Sequence, residues 1–201
     1  MRIVVCLLVA SLAGGCVSKA RFATVESQLD TCRERLQKHR DRNDDGKKGE
    51  RDELAKQLQP LIDRGVLEVE DVEGRTVIGM RSEVLFPSGS AELSNNGRAT
   101  IVDLGRVLAA RTEARWQVEG HTDNAPIATA QFPSNWDLGA ARSLAVLKVM
   151  LKSGMSPERV SAATFGEFAP VASNASDPSR ALNRRIEVVL LPEAGTRKLR
   201  K

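Results

Sequence analysis

The sequence predicts an α+β fold in which two main helices pack on one face of a four-stranded mixed sheet, preceded by a helical spacer. Three observations predict it. Alternating apolar and polar stretches recur after residue 65, two long apolar-striped segments separate them, and the residues before 65 carry dense mixed charge at helical spacing. A chain of 201 residues that is 41% hydrophobic has room for one well-cored domain plus an appendage. The formal net charge is only +4, aromatics make up 3%, and there is no Tyr. That composition lacks the stacking platforms of single-strand binders and argues against nucleic acid as a partner.

The chain opens with one Arg, an apolar run from Ile3 to Leu12 and then small residues, which is the pattern of a signal peptide over residues 1–15. The run is too short to span about 30 Å of hydrocarbon at about 1.5 Å per residue. Cys16, directly after "LAGG", resembles the acylation site of bacterial lipoproteins. The resemblance implies that Cys16 becomes the lipidated first residue of the mature chain and holds it to a membrane through several acyl chains. Val17 stands where Asp would retain such a protein at the inner membrane, which implies the periplasmic face of the outer membrane. Cys6 leaves with the signal, so Cys32 remains as an odd thiol in an oxidising compartment. It reads as a small apolar residue on a helix face, with a bridge between two copies as the alternative.

Residues 16–64 form the spacer. Phe22, Val25, Leu29, Cys32 and Leu36 recur at intervals of three and four and make one helical stripe, about two heptads long. The pattern predicts a weak self-associating coil or a helical hairpin, with a break at "NDDGKKG", where Gly46 and Gly49 disfavour helix. The stripe resumes in a shifted register at Leu54, Leu58 and Leu61. His39 stands among Arg and Lys without a second metal ligand at helical spacing, and reads as a solvated residue.

The compact domain spans residues 65–192. "VLEVEDVEGRTVIGM" alternates and turns at Glu73-Gly74, predicting two short strands. Ser94 is placed to cap a helix whose stripe is Ile101, Leu104, Val107 and Leu108. Trp116 to Glu119 is the next strand. A second helix opens at the Ser134-x-x-Asp137 capping pattern and closes at Gly154. "RVSAATFG" and "RRIEVVLLP" supply the last two strands, so the order is strand, helix, strand, helix, strand, strand. Residues 193–201 are a basic tail, which reads as solvated, with attraction to anionic wall polymers as an alternative.

Five stretches in one order, "VLFPSGSAELS", "VEGHTDNAP", "FPSNWDLGAARS", "TFGEFAPVASN" and "NRRIEVVL", resemble the OmpA C-terminal domain family. This peptidoglycan-binding module is also found in Pal-type lipoproteins and, as MotB, in flagellar stators. The long loop "NAPIATAQFPSNWD" is more similar to the stator branch. The resemblance implies a βαβαββ sandwich that captures the diaminopimelate residue of the peptidoglycan stem peptide without covalent chemistry. It further implies that Asp123 receives the ammonium of that residue and that Arg142 grips its carboxylate bidentately. Arg185 would support the acidic end, Thr122 and Asn124 would shape the loop, and Asn183 would hold the loop before the last strand.

Read from the residues alone, an Asp just past a strand and an Arg in the next helix can bring opposite charges to one cleft, complementary to a zwitterion. The plainer alternative is that Asp123 and Arg142 bond each other or cap helices. Catalysis finds little support, because His121 is the domain's one histidine and the domain has no Cys. His121 and Asp123 do not supply the ligands of a zinc site, and no cofactor is expected. Trp136 suits either sugar stacking or closure of the core. The function that follows is wall binding by an outer-membrane lipoprotein, the alternative being a wall-anchoring scaffold of an envelope machine whose partner meets the spacer.

Overall fold

The structure is a computed structural model that describes residues 19–192. The signal segment, Cys16 and the basic tail lie outside the described residues. Contacts divide the chain into two units, Met1–Asp45 and Gly46–Lys201.

Helix α1 runs Lys19–Asp63. It passes through Gly46 and Gly49 without the expected break. Each glycine costs a helix interior about 1 kcal/mol against Ala, which is too little to stop it among neighbours that form helix well. Nothing lies within 4 Å of a Cβ placed on either glycine, so neither serves a close backbone approach. In the first unit Phe22, Val25, Leu29 and Leu36 are exposed, and so is Cys32. In the second unit the stripe has another fate: Leu54, Leu58 and Leu61 are buried and join the hydrophobic core. The compact unit therefore begins before residue 65, the start read from the sequence, because these leucines cover apolar surface there. Among the described residues no helix is long and apolar enough to cross a membrane.

Strands β1 (Glu68–Val72) and β2 (Arg75–Arg81) form a hairpin that turns at Glu73 and Gly74, with φ of 53° and 75°. Both residues are left-handed, which suits a tight hairpin turn and places the glycine where it costs least. The hairpin contributes both arms to one sheet, which has five strands instead of four. A one-turn helix α2 (Ser82–Leu85) leads to α3 (Asn95–Ala109), then β3 (Arg115–His121), α4 (Asn135–Lys152), β4 (Val160–Gly166), α5 (Asp177–Asn183) and β5 (Arg185–Leu191). The strand order is β1-β2-β5-β3-β4, with β3 and β4 parallel and the other pairs antiparallel.

Both predicted caps are present. The Ser94 side chain accepts from the Gly97 N–H at 3.0 Å, and Ser134 accepts from the Asp137 N–H at 3.4 Å. Successive side chains of a strand point to opposite faces, so Ile78, Met80, Val118, Ile186 and Val188 enter the core with Ile101, Leu104 and Leu108 of α3 and Val146 and Met150 of α4. Their alternates, Val77, Glu119, His121, Glu187 and Val189, line the other face.

One contact sets the position of α4. A Cβ on Gly120 would collide with the Gly139 carbonyl, and one on Gly139 would collide with the Thr164 hydroxyl. Helix and strand backbones therefore touch where β3 ends. Arg142, three residues beyond Gly139, meets the segment between α2 and α3 at Phe86 and Ser90, where the charge of Asp123 also reaches it.

Candidate ligand-binding site

The site is built on the residues that leave β3. A register shift between Gly120 and His121 marks the strand end, and the Thr122 N–H donates to the Gly166 carbonyl at 2.9 Å. Thr122 is buried and its hydroxyl donates to the Asp123 carbonyl at 2.9 Å. Asp123 is itself 7% exposed. One of its carboxylate oxygens accepts from the Ala125 N–H at 3.1 Å, and the other accepts from Arg184 Nη1 at 2.7 Å. Arg184 caps the C-terminus of α5 and also pairs with Glu83 of α2.

Arg142 is 5% exposed. Its Nε donates to the Ser90 carbonyl at 2.8 Å, and its guanidinium carbon lies 5.2 Å from the centre of the Phe86 ring, within cation–π range. Among the described residues its two terminal nitrogens make no hydrogen bond or ion pair. Burial pushes its pKa below the ordinary arginine value, the Arg184 charge pushes the same way, and Asp123 opposes both. Arg184 is raised instead, through its hydrogen bonds to Glu83 and Asp123. The cluster is thus two guanidiniums and two carboxylates in which one guanidinium, Arg142, keeps its fork available. A fork of parallel N–H donors fits a carboxylate.

Asp123 and Arg142 do not bond each other; the ion-pair partner of Asp123 is Arg184. Nor does Arg185 come to Asp123. It enters β5 and turns to Glu187, the Ala169 carbonyl at 3.1 Å and the Asn183 carbonyl at 3.4 Å. Side-chain direction changes from one residue to the next, so Arg184 turns to Asp123 and Glu83 while Arg185 turns to Glu187. Asn183 is fully buried and holds the preceding loop, as expected. It accepts from the Val171 and Ala172 N–H groups and donates to the Ala172 carbonyl and Asn174 Oδ1, each at 2.9 Å. Asn124 is exposed and joins that network through its backbone N–H, 3.4 Å from Asn174 Oδ1.

Three further residues contribute that motif reading missed. Asn135 donates to the Asp123 carbonyl at 3.3 Å, the Ala125 carbonyl at 3.1 Å and Glu167 Oε2 at 2.7 Å, clamping the loop to the start of α4. Glu83 and Arg184 complete the charge cluster. The available signals were an amide one residue past a cap and a second Arg beside the first. Trp136 is 47% exposed and stacks on Phe168 with centroids 5.5 Å apart, so it does not close the core.

His121 belongs to a different cluster. It is buried, its ring lies parallel to that of Phe165 at 5.3 Å, and Glu119 and Glu187 flank it.

The pattern of the OmpA family matches residues 85–184. Outer-membrane lipoprotein YfiB of Pseudomonas aeruginosa is 31% identical over 139 residues, which are 69% of this chain and 79% of that protein. Among solved structures, a MotB-like protein from Desulfovibrio vulgaris superposes with a TM-score of 0.70 at 31% identity, covering 79% of this chain and 98% of that one. The cell wall anchor of the T6SS from Pseudomonas aeruginosa does so with a TM-score of 0.64 at 34% identity, covering 70% of this chain and 97% of that one. The chain spans about half the length of several other curated relatives it matches.

Proposed function

The chain belongs to the OmpA family of peptidoglycan-binding domains, and from that premise we propose that it anchors the cell envelope to the wall by gripping the diaminopimelate residue of a stem peptide. The observation that carries this reading is the fork of Arg142, fixed at Nε by Ser90 and backed by Phe86, with no protein acceptor for its terminal nitrogens among the described residues. A ligand carboxylate completes it. The ammonium of the same residue would then meet Asp123 and Glu83, in exchange for part of their pairing with Arg184. A zwitterion fits where a simple anion or cation would leave one charge of the cluster unmatched. Nothing in this scheme turns over; the work is binding.

In this reading Cys16 carries lipid, the chain sits at the outer membrane facing the periplasm, and α1 is the spacer between lipid and wall. A second reading makes the chain the wall-anchoring subunit of an envelope machine. It is favoured by the likeness to a secretion-system wall anchor and by the exposed stripe of Phe22, Val25, Leu29 and Leu36, a surface for a partner or a second copy.

The test is co-sedimentation of the purified chain with sacculi, in competition with free diaminopimelate. Binding that the competitor and Arg142→Ala both abolish supports the site. Pelleting that resists both, in a variant that still unfolds cooperatively, overturns it.

A further inference from the structure

On the face of the sheet away from α3 and α4, three side chains converge on one point. Glu119 of β3 and Glu187 of β5 are direct cross-strand partners, a placement in which two carboxylates repel. His121, two residues on from Glu119, points its Nε2 between them, 3.7 Å from Glu119 Oε2 and 3.8 Å from Glu187 Oε2. Those separations exceed hydrogen-bond length. His121 is 3% exposed, and both of its ring nitrogens are buried with no hydrogen-bond partner among the described residues. Buried polar groups are rarely left so.

The spacing suits an ion. Ligand atoms about 2.0–2.2 Å from a metal stand roughly 3.3–3.8 Å apart at tetrahedral to trigonal angles. The 3.7 and 3.8 Å separations from His121 Nε2 fall in that range, and the three donor atoms lie within 4.8 Å of one another, so the two carboxylates would close on a bound ion. Their surroundings hold them in place. Phe165 stacks on the imidazole with the rings 8° from parallel, and Arg185 bonds Glu187 Oε1, leaving Oε2 directed at the histidine. Such an outer contact on a ligating carboxylate orients it toward a metal.

The charges agree with the geometry. Arg185 neutralises one carboxylate, whereas Glu119 has no Lys or Arg partner among the described residues. Of the three, Glu187 also lines, with Arg185, a groove of about 400 Å³ that includes residues of the hairpin and Leu182 of α5.

We propose that Glu119, His121 and Glu187 bind a divalent transition-metal cation, with Zn²⁺ or Mn²⁺ favoured by one imidazole nitrogen and two carboxylate oxygens. The ion would tie β3 to β5 immediately before Asp123 leaves the sheet. It serves as a structural clamp and takes no part in the charge cluster around Arg142. His121 and Asp123, neighbours in the motif, thus belong to separate sites.

The experiment uses the full chain, purified in detergent without a histidine tag, stripped with a chelator and titrated with Zn²⁺ and then Mn²⁺ by calorimetry. Thermal unfolding is followed in parallel. The expected result is one ion per chain and a raised Tm, with affinity at least tenfold weaker in His121→Gln and in Glu187→Gln and unchanged in His39→Gln. Should His121→Gln fail to fold, Glu187→Gln carries the test, because that side chain is at the groove. Stoichiometric binding retained by Glu187→Gln overturns the proposal, as does no binding by the parent chain. A nitrogen NMR signature of His121 as imidazolium at neutral pH, unmoved by Zn²⁺, also overturns it and assigns the missing positive charge to a proton. Sacculus binding is a separate readout, so failure here leaves the wall-binding site standing.

Discussion

Arg184 and Arg185 are adjacent in the chain, yet each answers to a different cluster. Arg184 caps α5 and pairs with Asp123 and Glu83, beside the available fork of Arg142. Arg185 starts β5, pairs with Glu187 and bonds two backbone carbonyls. The first cluster leaves the terminal nitrogens of Arg142 without a protein acceptor among the described residues. The second is drawn inward around a buried histidine and holds strands together. The difference teaches that charge count is a poor guide to function, since both clusters contain arginine and two carboxylates; what separates them is whether an arginine keeps its terminal nitrogens free of protein acceptors among the described residues, as Arg142 does and Arg185 does not.

Five variants would break or sharpen that contrast. Arg142→Ala should weaken sacculus binding by roughly 30-fold or more, because an interaction of a charged group with its partner is worth about 2 kcal/mol or above. Arg142→Lys should stay about tenfold weak, since an ammonium keeps the charge and loses the fork. Both are measured by pelleting at fixed salt. Asp123→Asn comes next: roughly tenfold weaker binding, with free diaminopimelate losing its power to compete. Arg185→Ala should leave binding within about threefold and instead lower stability by about 1–3 kcal/mol in urea titration, since Glu187 loses its guanidinium opposite Glu119. If this variant lost binding as Arg142→Ala does, the two clusters would be one site. The smallest effect belongs to Asn124→Ala, within about 0.5 kcal/mol for stability, because its contact to Asn174 runs through the backbone N–H.

Much of the fold was legible in the sequence. The hairpin turn at Glu73-Gly74 and the caps at Ser94 and Ser134 each rest on signals within a few residues, whereas the short helices α2 and α5 were not expected. The continuity of α1 was not legible, because two glycines carry a known cost while the core that receives Leu54, Leu58 and Leu61 is formed by distant residues. The site was half legible. Motif reading singled out Asp123 and Arg142, whose charges act on each other without a bond, and Asn183, which bonds its preceding loop. It did not single out Asn135, Glu83 or Arg184, whose contacts join segments apart in the chain, because a motif records neighbours and not directions.

Amphipathic spacing, turn chemistry and caps therefore determined which elements form, since each depends on side chains and backbone within about one helical turn or one hairpin. Only tertiary structure decided that β5 lies between β2 and β3, which puts Glu187 opposite Glu119 and brings Arg184 to Asp123. It also decided that α4 lies against β3 at Gly120 and Gly139 and that Arg142 of α4 meets Ser90 and Phe86 within reach of the Asp123 charge. Pairing between strands and the docking of a helix on a sheet depend on how remote segments share one core, and no local pattern encodes that.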